Sequence, residues 1–185
     1  TNFPGMELIR PMYLIREDDI KAWRDANDLS AKIFLGEANG SFRLRADVTD
    51  DRHSQPFDGF NVWKGDNIQF AFQLPGQTGH WEIGLSRLDS GKSEVIVFQT
   101  PTGFDPAAVA KACRLVTTRE GNVTGYDFTL PGNAAGMTPE MFRNGFRFNL
   151  LVNDNDGEGR DGWMHIAPGI GENKNPDRFP FVLFE

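Results

Sequence analysis

Cysteine is almost absent from this sequence. The single residue, Cys113, can form no internal disulfide, and it gives little information about the compartment in which the protein works. Long apolar runs are also absent, and none approaches the roughly 18 to 20 residues of a membrane-spanning helix. The sequence therefore predicts no membrane partner.

Positive charge is scarce as well. The 185 residues include 19 Lys and Arg against 26 Asp and Glu, which gives a formal net charge of −7. Because a nucleic-acid-binding surface needs a basic patch, this balance argues against a nucleic-acid partner. It also argues against binding an acidic polysaccharide by bulk charge, although a local group of Arg and Lys side chains would still allow it.

The motifs of common hydrolases and metalloenzymes are missing. The sequence contains neither G-x-S-x-G nor H-E-x-x-H, and its three histidines are scattered. Carboxylates are plentiful, so composition leaves a glycosidase acid/base pair open, but no pair stands out. We therefore predict that the chain is not an enzyme.

Phenylalanine and turn-forming residues are abundant, with 16 Phe, 20 Gly and 11 Pro. Apolar and polar side chains alternate in segments such as 67–73 and 146–152, which is typical of strands with one buried face. Asn39-Gly40 predicts a hairpin turn between two such segments. Residues 6–9 and 12–15 are predicted edge strands, whereas 106–113 fits either a helix or a strand. These patterns predict an all-β antiparallel sandwich with one or two short helices, as a single domain over residues 1–185.

Two loops are rich in carboxylates and predict a metal site. Asp50 and Asp51 follow one predicted strand, and Asp154 and Asp156 follow another. Calcium takes six to eight oxygen ligands, which such loops supply. The same residue types also form turns without any ion. We expect a structural calcium ion with these four residues as ligands.

Several sequence pieces occur in an order that resembles a known family. They are LSAKI (29–33), FRLRADVTDD (42–51), WKGDNIQ (63–69), GYDFTLP (125–131), FRFNLLVND (146–154) with Arg160, and residues 179–184. Together they resemble the family 9 carbohydrate-binding modules, within the DOMON-like β-sandwiches. The resemblance implies a non-catalytic module that binds sugars between tryptophans and carries structural calcium.

The resemblance also implies particular binding residues. Trp63 matches the family's first binding tryptophan, and Gln69 falls where the family has a polar group on the following strand. Trp163 lies three residues before the family's usual second tryptophan, so it faces either the ligand or the core. Because sugars stack on aromatic rings and need planar hydrogen-bonding groups around them, the predicted carbohydrate-binding residues are Trp63, Gln69, Arg87, Asn153, Trp163 and His165.

The predicted function is therefore non-catalytic carbohydrate binding that targets a glycan-degrading protein to polysaccharide. The expected partners are a mono-, oligo- or polysaccharide and a catalytic domain of the same bacterial parent protein. We interpret the start at Thr1 as that of a mature or excised domain of a secreted protein, extracellular or periplasmic. The alternative is a structural or interaction β-sandwich of a larger enzyme, without sugar affinity.

Overall fold

The computed structural model describes residues 6–8 and 29–184, and these form two antiparallel β-sheets that pack face to face. The predicted edge strand at 12–15 lies outside the described residues. We call the face of each sheet that packs on the other sheet its inner face, and the opposite face its outer face. The predicted antiparallel sandwich is confirmed.

The first sheet has five strands in the order β1-β2-β3-β8-β7. The hairpin between its second and third strands turns at Asn39 and Gly40, which both have positive φ, 53° and 74°. This is the backbone of a type I′ turn, and it explains the predicted Asn-Gly signal. The strands are β1 (Met6–Leu8), β2 (Ser30–Ala38), β3 (Ser41–Thr49), β7 (Arg114–Glu120) and β8 (Val123–Pro131).

The second sheet has the order β10-β9-β4-β5-β6, and a short strand, β11, also pairs with β9. A β-bulge interrupts the pairing of β5 with β6 between Glu82 and Ile83. The bulge adds a residue to one strand, which changes the side-chain positions at this edge. The strands are β4 (Asn67–Gln73), β5 (Trp81–Arg87), β6 (Ser93–Gln99), β9 (Phe146–Asp154), β10 (Gly162–His165) and β11 (Phe181–Val182).

Short helices connect the strands. They are the α-helices α1 (Pro106–Ala112), α2 (Gly132–Ala135) and α3 (Pro139–Asn144) and the 3₁₀ helices Gly59–Lys64 and Pro176–Arg178. The helix α3 begins as its sequence predicts, because the Thr138 side chain accepts a hydrogen bond from the Met141 N–H and proline occupies the first turn. In the described segments, no helix is both long and apolar enough to cross a membrane.

Phenylalanine rings from both sheets fill the space between the inner faces. Phe42 of β3 lies 5.9 Å from Phe70 of β4, measured between ring centroids. Phe72 stacks on Trp81 at 5.7 Å, and both side chains are fully buried. Because these rings alternate with outward-facing residues along each strand, the core fixes which side chains reach the outer face of the second sheet.

Candidate functional site

The outer face of the second sheet carries an unusual row of buried polar side chains. Asn67 and Gln69 of β4 and Asn153 of β9 are each 5% exposed or less. The register pairs Asn67 directly with Asn153, so the amides lie side by side. Buried amides need hydrogen-bond partners, and a few precisely placed polar groups are what gives a ligand pocket its specificity.

Beside this row lies a cleft of about 430 Å³, within the range of about 300 to 1,000 Å³ common for ligand pockets. The 3₁₀ helix 59–64, three strands of the second sheet and two loops form its walls. Its lining combines aromatic rings with charged and amide groups: Phe60, Trp63, Gln69, Glu82, Phe98, Gln99, Arg160, Ile170, Gly171 and Lys174.

Trp63 forms part of the cleft rim. The 3₁₀ helix holds its backbone, and 37% of the residue remains exposed. Phe60, one turn earlier on the same helix, is 68% exposed and lies 6.1 Å from Phe98 between ring centroids. Exposed aromatic rings beside polar groups offer flat apolar surface to a ligand.

Arg160 bridges the two tryptophans that the sequence singled out. Its guanidinium carbon lies 5.0 Å from the Trp63 ring centroid and 4.5 Å from the Trp163 ring centroid. A cation at this distance from an indole ring is attracted to it electrostatically. Partial burial lowers the pKa of Arg160, but the guanidinium is so basic that it stays protonated.

Asn153 connects Arg160 to the amide row. The Arg160 Nη1–H donates to Asn153 Oδ1 at 3.3 Å. The Asn153 Nδ2 group donates to Asn67 Oδ1 at 2.5 Å and lies 3.4 Å from Gln69 Oε1. Asn153 therefore lies behind the cleft, where it holds Arg160 and Gln69 in place.

Trp163 faces the outer side of the sheet and not the core between the sheets. It pairs with Asn153 in the register of β10 and β9, so the two side chains share a face. There it packs against a second apolar cluster with Leu151, Ile170 and Phe179. Trp163 does not line the cleft, and its ring contacts Arg160, which does.

Arg87 and His165 are not brought into the cleft. Arg87 has the strand parity of Leu85 on the inner face, and its guanidinium donates to the Gly91 carbonyl. His165 lies two residues beyond Trp163, with its Nδ1 3.8 Å from a Glu172 oxygen. The sequence position of Arg87 at the end of a strand does not show on which face of the sheet its side chain lies. The prediction that Arg87 faces a sugar rested on that position alone.

Glu82 and Lys174 form an ion pair at the cleft, with 2.5 Å between Nζ and Oε1. Glu82 is 2% exposed, whereas the Lys174 side chain is half exposed. The two residues are 92 positions apart in the sequence, so no local pattern pairs them. The carboxylate lies in the floor and the ammonium in the rim.

A separate group of carboxylates lies where the two acidic loops meet. Ligand oxygens of Asp50, Asp51 and Asp156 all lie within 4.8 Å of one another. Burial and the charges of neighbouring carboxylates raise the pKa of Asp154 to about 7. No hydrogen bond or ion pair from residues 6–8 or 29–184 reaches the Asp154 carboxylate. Carboxylates that repel one another in this way fit a divalent cation.

Asp66 ties the two acidic loops together. Its carboxylate accepts hydrogen bonds from the Ser54 N–H at 2.5 Å and the Asn155 N–H at 2.7 Å. The His53 Nδ1 lies 3.3 Å from the same group, while Nε2 lies 2.9 Å from the Arg87 carbonyl. Burial opposes the charged form of His53, but these two acceptors raise its pKa overall. Asp66 therefore acts in the structure as a brace between the loops.

No family model matches the sequence, and no curated protein matches it. Solved structures do match the fold. A family 9 carbohydrate-binding module from Caldicellulosiruptor kristjanssonii in complex with cellotriose aligns over 84% of this chain and 74% of its own, with TM-score 0.62 and 13% identity. A second structure from this organism, in complex with glucose, aligns over 85% and 77%, with TM-score 0.63 and 13% identity.

A candidate carbohydrate-binding protein from Bacteroides uniformis aligns over 91% of this chain and 92% of its own, with TM-score 0.64 and 11% identity. The fold is that of the family 9 carbohydrate-binding modules. Two features of this family 9-like fold position the cleft: the outer face of the second sheet is its floor, and the loop after β10 forms part of its wall.

The cleft contains two of the six predicted sugar-binding residues, Trp63 and Gln69. Asn153 and Trp163 lie directly behind it and contact Arg160. Sequence reasoning did not select the other eight lining residues: Phe60, Glu82, Phe98, Gln99, Arg160, Ile170, Gly171 and Lys174. Of these, Arg160 belonged to the family resemblance, and the alternation of β5 marks Glu82 as outward-facing. The remaining six carry no local signal.

Proposed function

We propose that this chain is a non-catalytic carbohydrate-binding module whose ligand stacks on Trp63. Trp63, of which 37% is exposed, in a cleft that also has polar lining residues is the observation that supports this function. Sugar rings present C–H faces to aromatic surface and hydroxyl groups at their edges, so they match a cleft with both kinds of group.

The polar groups around Trp63 have separate tasks in this proposal. Gln69 and Gln99 line the cleft and offer both donors and acceptors to sugar hydroxyls. Asn153 and Trp163 act indirectly, because they hold Arg160 by a hydrogen bond and a ring contact. Rigid positioning of this kind lowers the entropy cost of binding.

The chemistry of the cleft favours binding over glycoside hydrolysis. Glycosidases use two carboxyl groups on either side of the scissile bond. Among the described lining residues, Glu82 is the only carboxylate, and Lys174 already pairs with it. A module of this kind would raise the local concentration of an attached catalytic domain at its polysaccharide.

The sugars held by the two Caldicellulosiruptor modules, cellotriose and glucose, support a saccharide as the partner class. We place the module in a secreted, extracellular or periplasmic bacterial protein that degrades glycans. There it would target a catalytic domain to the substrate. An interaction sandwich without sugar affinity is the alternative that the experiment below tests.

We also propose that the carboxylate group of Asp50, Asp51, Asp154 and Asp156 binds a structural calcium ion. The raised pKa of Asp154 and the short distances among the other three support it. Calcium would neutralise their repulsion and join the loop after β3 to the loop after β9. This role is separate from sugar binding in the cleft.

Isothermal titration calorimetry with a panel of mono- and oligosaccharides tests the sugar proposal. We expect saturable binding by the wild type and its loss in Trp63→Ala. Phe181→Ala is the matched control, since Phe181 is an aromatic residue of 59% exposure outside the cleft. If a folded wild type binds no glycan, the proposal fails and the interaction-domain alternative replaces it.

A further inference from the structure

The charge of the cleft is positive although the protein as a whole is negative. Arg160 and Lys174 contribute two cations to the lining, against the carboxylate of Glu82. Lys174 neutralises Glu82, so Arg160 remains as the surplus charge. The whole chain carries a formal net charge of −7, so the cleft lining has the opposite sign of charge to the protein as a whole. Local charge in a cleft selects ligands of the opposite sign.

Within residues 6–8 and 29–184, the Arg160 guanidinium leaves most of its hydrogen-bond donors unused. Its guanidinium has five N–H donors, and among the described residues one hydrogen bond is formed, to Asn153. No carboxylate of residues 6–8 or 29–184 lies within 4.0 Å of it. A guanidinium with unused donors matches a carboxylate, which it can bind through two parallel hydrogen bonds.

The position of Arg160 is fixed before any ligand arrives. The guanidinium lies over the Trp63 ring at 5.0 Å and over the Trp163 ring at 4.5 Å, so it is held between the two indoles. The Lys64 ammonium lies 5.6 Å from the Trp63 ring centroid and adds positive charge at the rim. A sugar ring stacked on the part of the Trp63 indole that these cations leave open would therefore place its substituents next to Arg160.

We infer that the ligand is a sugar residue that carries a carboxylate, such as a uronic acid, and that Arg160 binds this carboxylate. The inference rests on the proposed function and adds the ligand class. Trp63 provides the surface for the pyranose ring, and Arg160 provides the charged contact. A neutral sugar would use the ring, and the Arg160 charge would then have no anionic partner among the described residues.

Calorimetry with three matched ligands tests the inference: oligogalacturonate, its methyl ester and the neutral galactose oligomer. The same comparison is made with glucuronate, its methyl ester and glucose. We expect the acid to bind about tenfold or more tightly than its ester, since a hydrogen bond to a charged group is worth that much. Higher salt should weaken binding of the acid and leave binding of the ester and the neutral sugar unchanged, because screening acts on the charged contact.

Two variants and a control locate the effect. Arg160→Met should remove the preference for the acid, whereas the ester and the neutral sugar should bind as weakly as they do to the wild type. Arg160→Lys should keep part of the preference, since charge remains but the two-pronged geometry is lost. Arg143→Met removes an exposed arginine that pairs with Glu140 outside the cleft, and should change nothing. Unfolding curves confirm that each variant is folded.

Each other result overturns the inference. Equal binding of acid, ester and neutral sugar would leave the proposed sugar-binding function intact and exclude a carboxylate-bearing ligand. An unchanged acid preference in Arg160→Met would exclude Arg160 as its cause. If none of the glycans binds to folded wild type, the proposed function fails and the inference fails with it.

Discussion

The guanidinium carbon of Arg160 lies 4.5 Å from the ring centroid of Trp163 and 5.0 Å from the ring centroid of Trp63. The two tryptophans are therefore linked through an arginine. A sandwich of one sugar between two indole rings is not the arrangement of this structure. Trp63 and Arg160 line the cleft, and Trp163 contacts Arg160 from outside that lining.

Substitution of Gly171 tests this support. A Cβ at Gly171 would lie 2.7 Å from the Trp163 Nε1, so Gly171→Ala must displace the indole ring. We expect weaker sugar binding, by calorimetry, and a changed near-ultraviolet circular dichroism signal. Gly162→Ala is the control, because a Cβ there meets nothing within 4 Å. Equal affinity of the two variants would contradict a positioning role for Trp163.

Substitution of Asn153 tests the hydrogen-bonded floor. Asn153→Leu removes the acceptor of Arg160 and the donor to Asn67, both in buried surroundings. We expect a loss of about 1 to 3 kcal/mol in the free energy of unfolding, as for other unpaired buried groups, together with reduced sugar affinity. Urea unfolding and calorimetry measure the two effects. Asn144→Leu, at an exposed position, should alter neither.

A double-mutant cycle measures the Glu82–Lys174 pair. Lys174→Met leaves a carboxylate of 2% exposure without its partner, so we expect a loss of about 1 to 3 kcal/mol in the free energy of unfolding. Adding Glu82→Gln should restore most of it, because the uncompensated charge is then gone. Strictly additive effects in urea unfolding would show that the pair does not interact.

Calcium should reverse the pH dependence of stability. In chelator, the folded protein holds a proton on Asp154 up to about pH 7, since mutual repulsion and burial raise its pKa. The unfolded chain loses that proton near its ordinary pKa, so the free energy of unfolding should fall as pH rises from about 5 to 7. With calcium bound, ionised carboxylates are needed, and stability should rise over the same range.

Thermal unfolding with chelator or calcium, from pH 5 to 7, measures this reversal. Asp154→Asn should flatten the slope in chelator and weaken the stabilisation by calcium. Asp127→Asn, which removes an exposed carboxylate on β8, is the control. Identical slopes with and without calcium would refute the proposed metal site.

Much of the fold was predictable because its signals are local. Alternation along β4 and β9 marks the inner-face residues Phe70 and Phe148, and pairing with a neighbouring strand leaves that parity unchanged. Asn39-Gly40 specifies its turn through φ preferences of two residues. Trp63 and Gln69 lie six positions apart, so one helix turn and one strand suffice to bring them together.

The sequence by itself determined the sandwich and the pair Trp63 and Gln69, and only the tertiary structure decided what surrounds them. Arg160, in the loop between β9 and β10, reaches Trp63 beside β4, and Lys174 reaches Glu82 over 92 positions. The face of Trp163 depended on its register with Asn153, and the meeting of the two acidic loops depended on how the sheets pack. Such long-range contacts arise from the whole arrangement of strands, which no local pattern encodes.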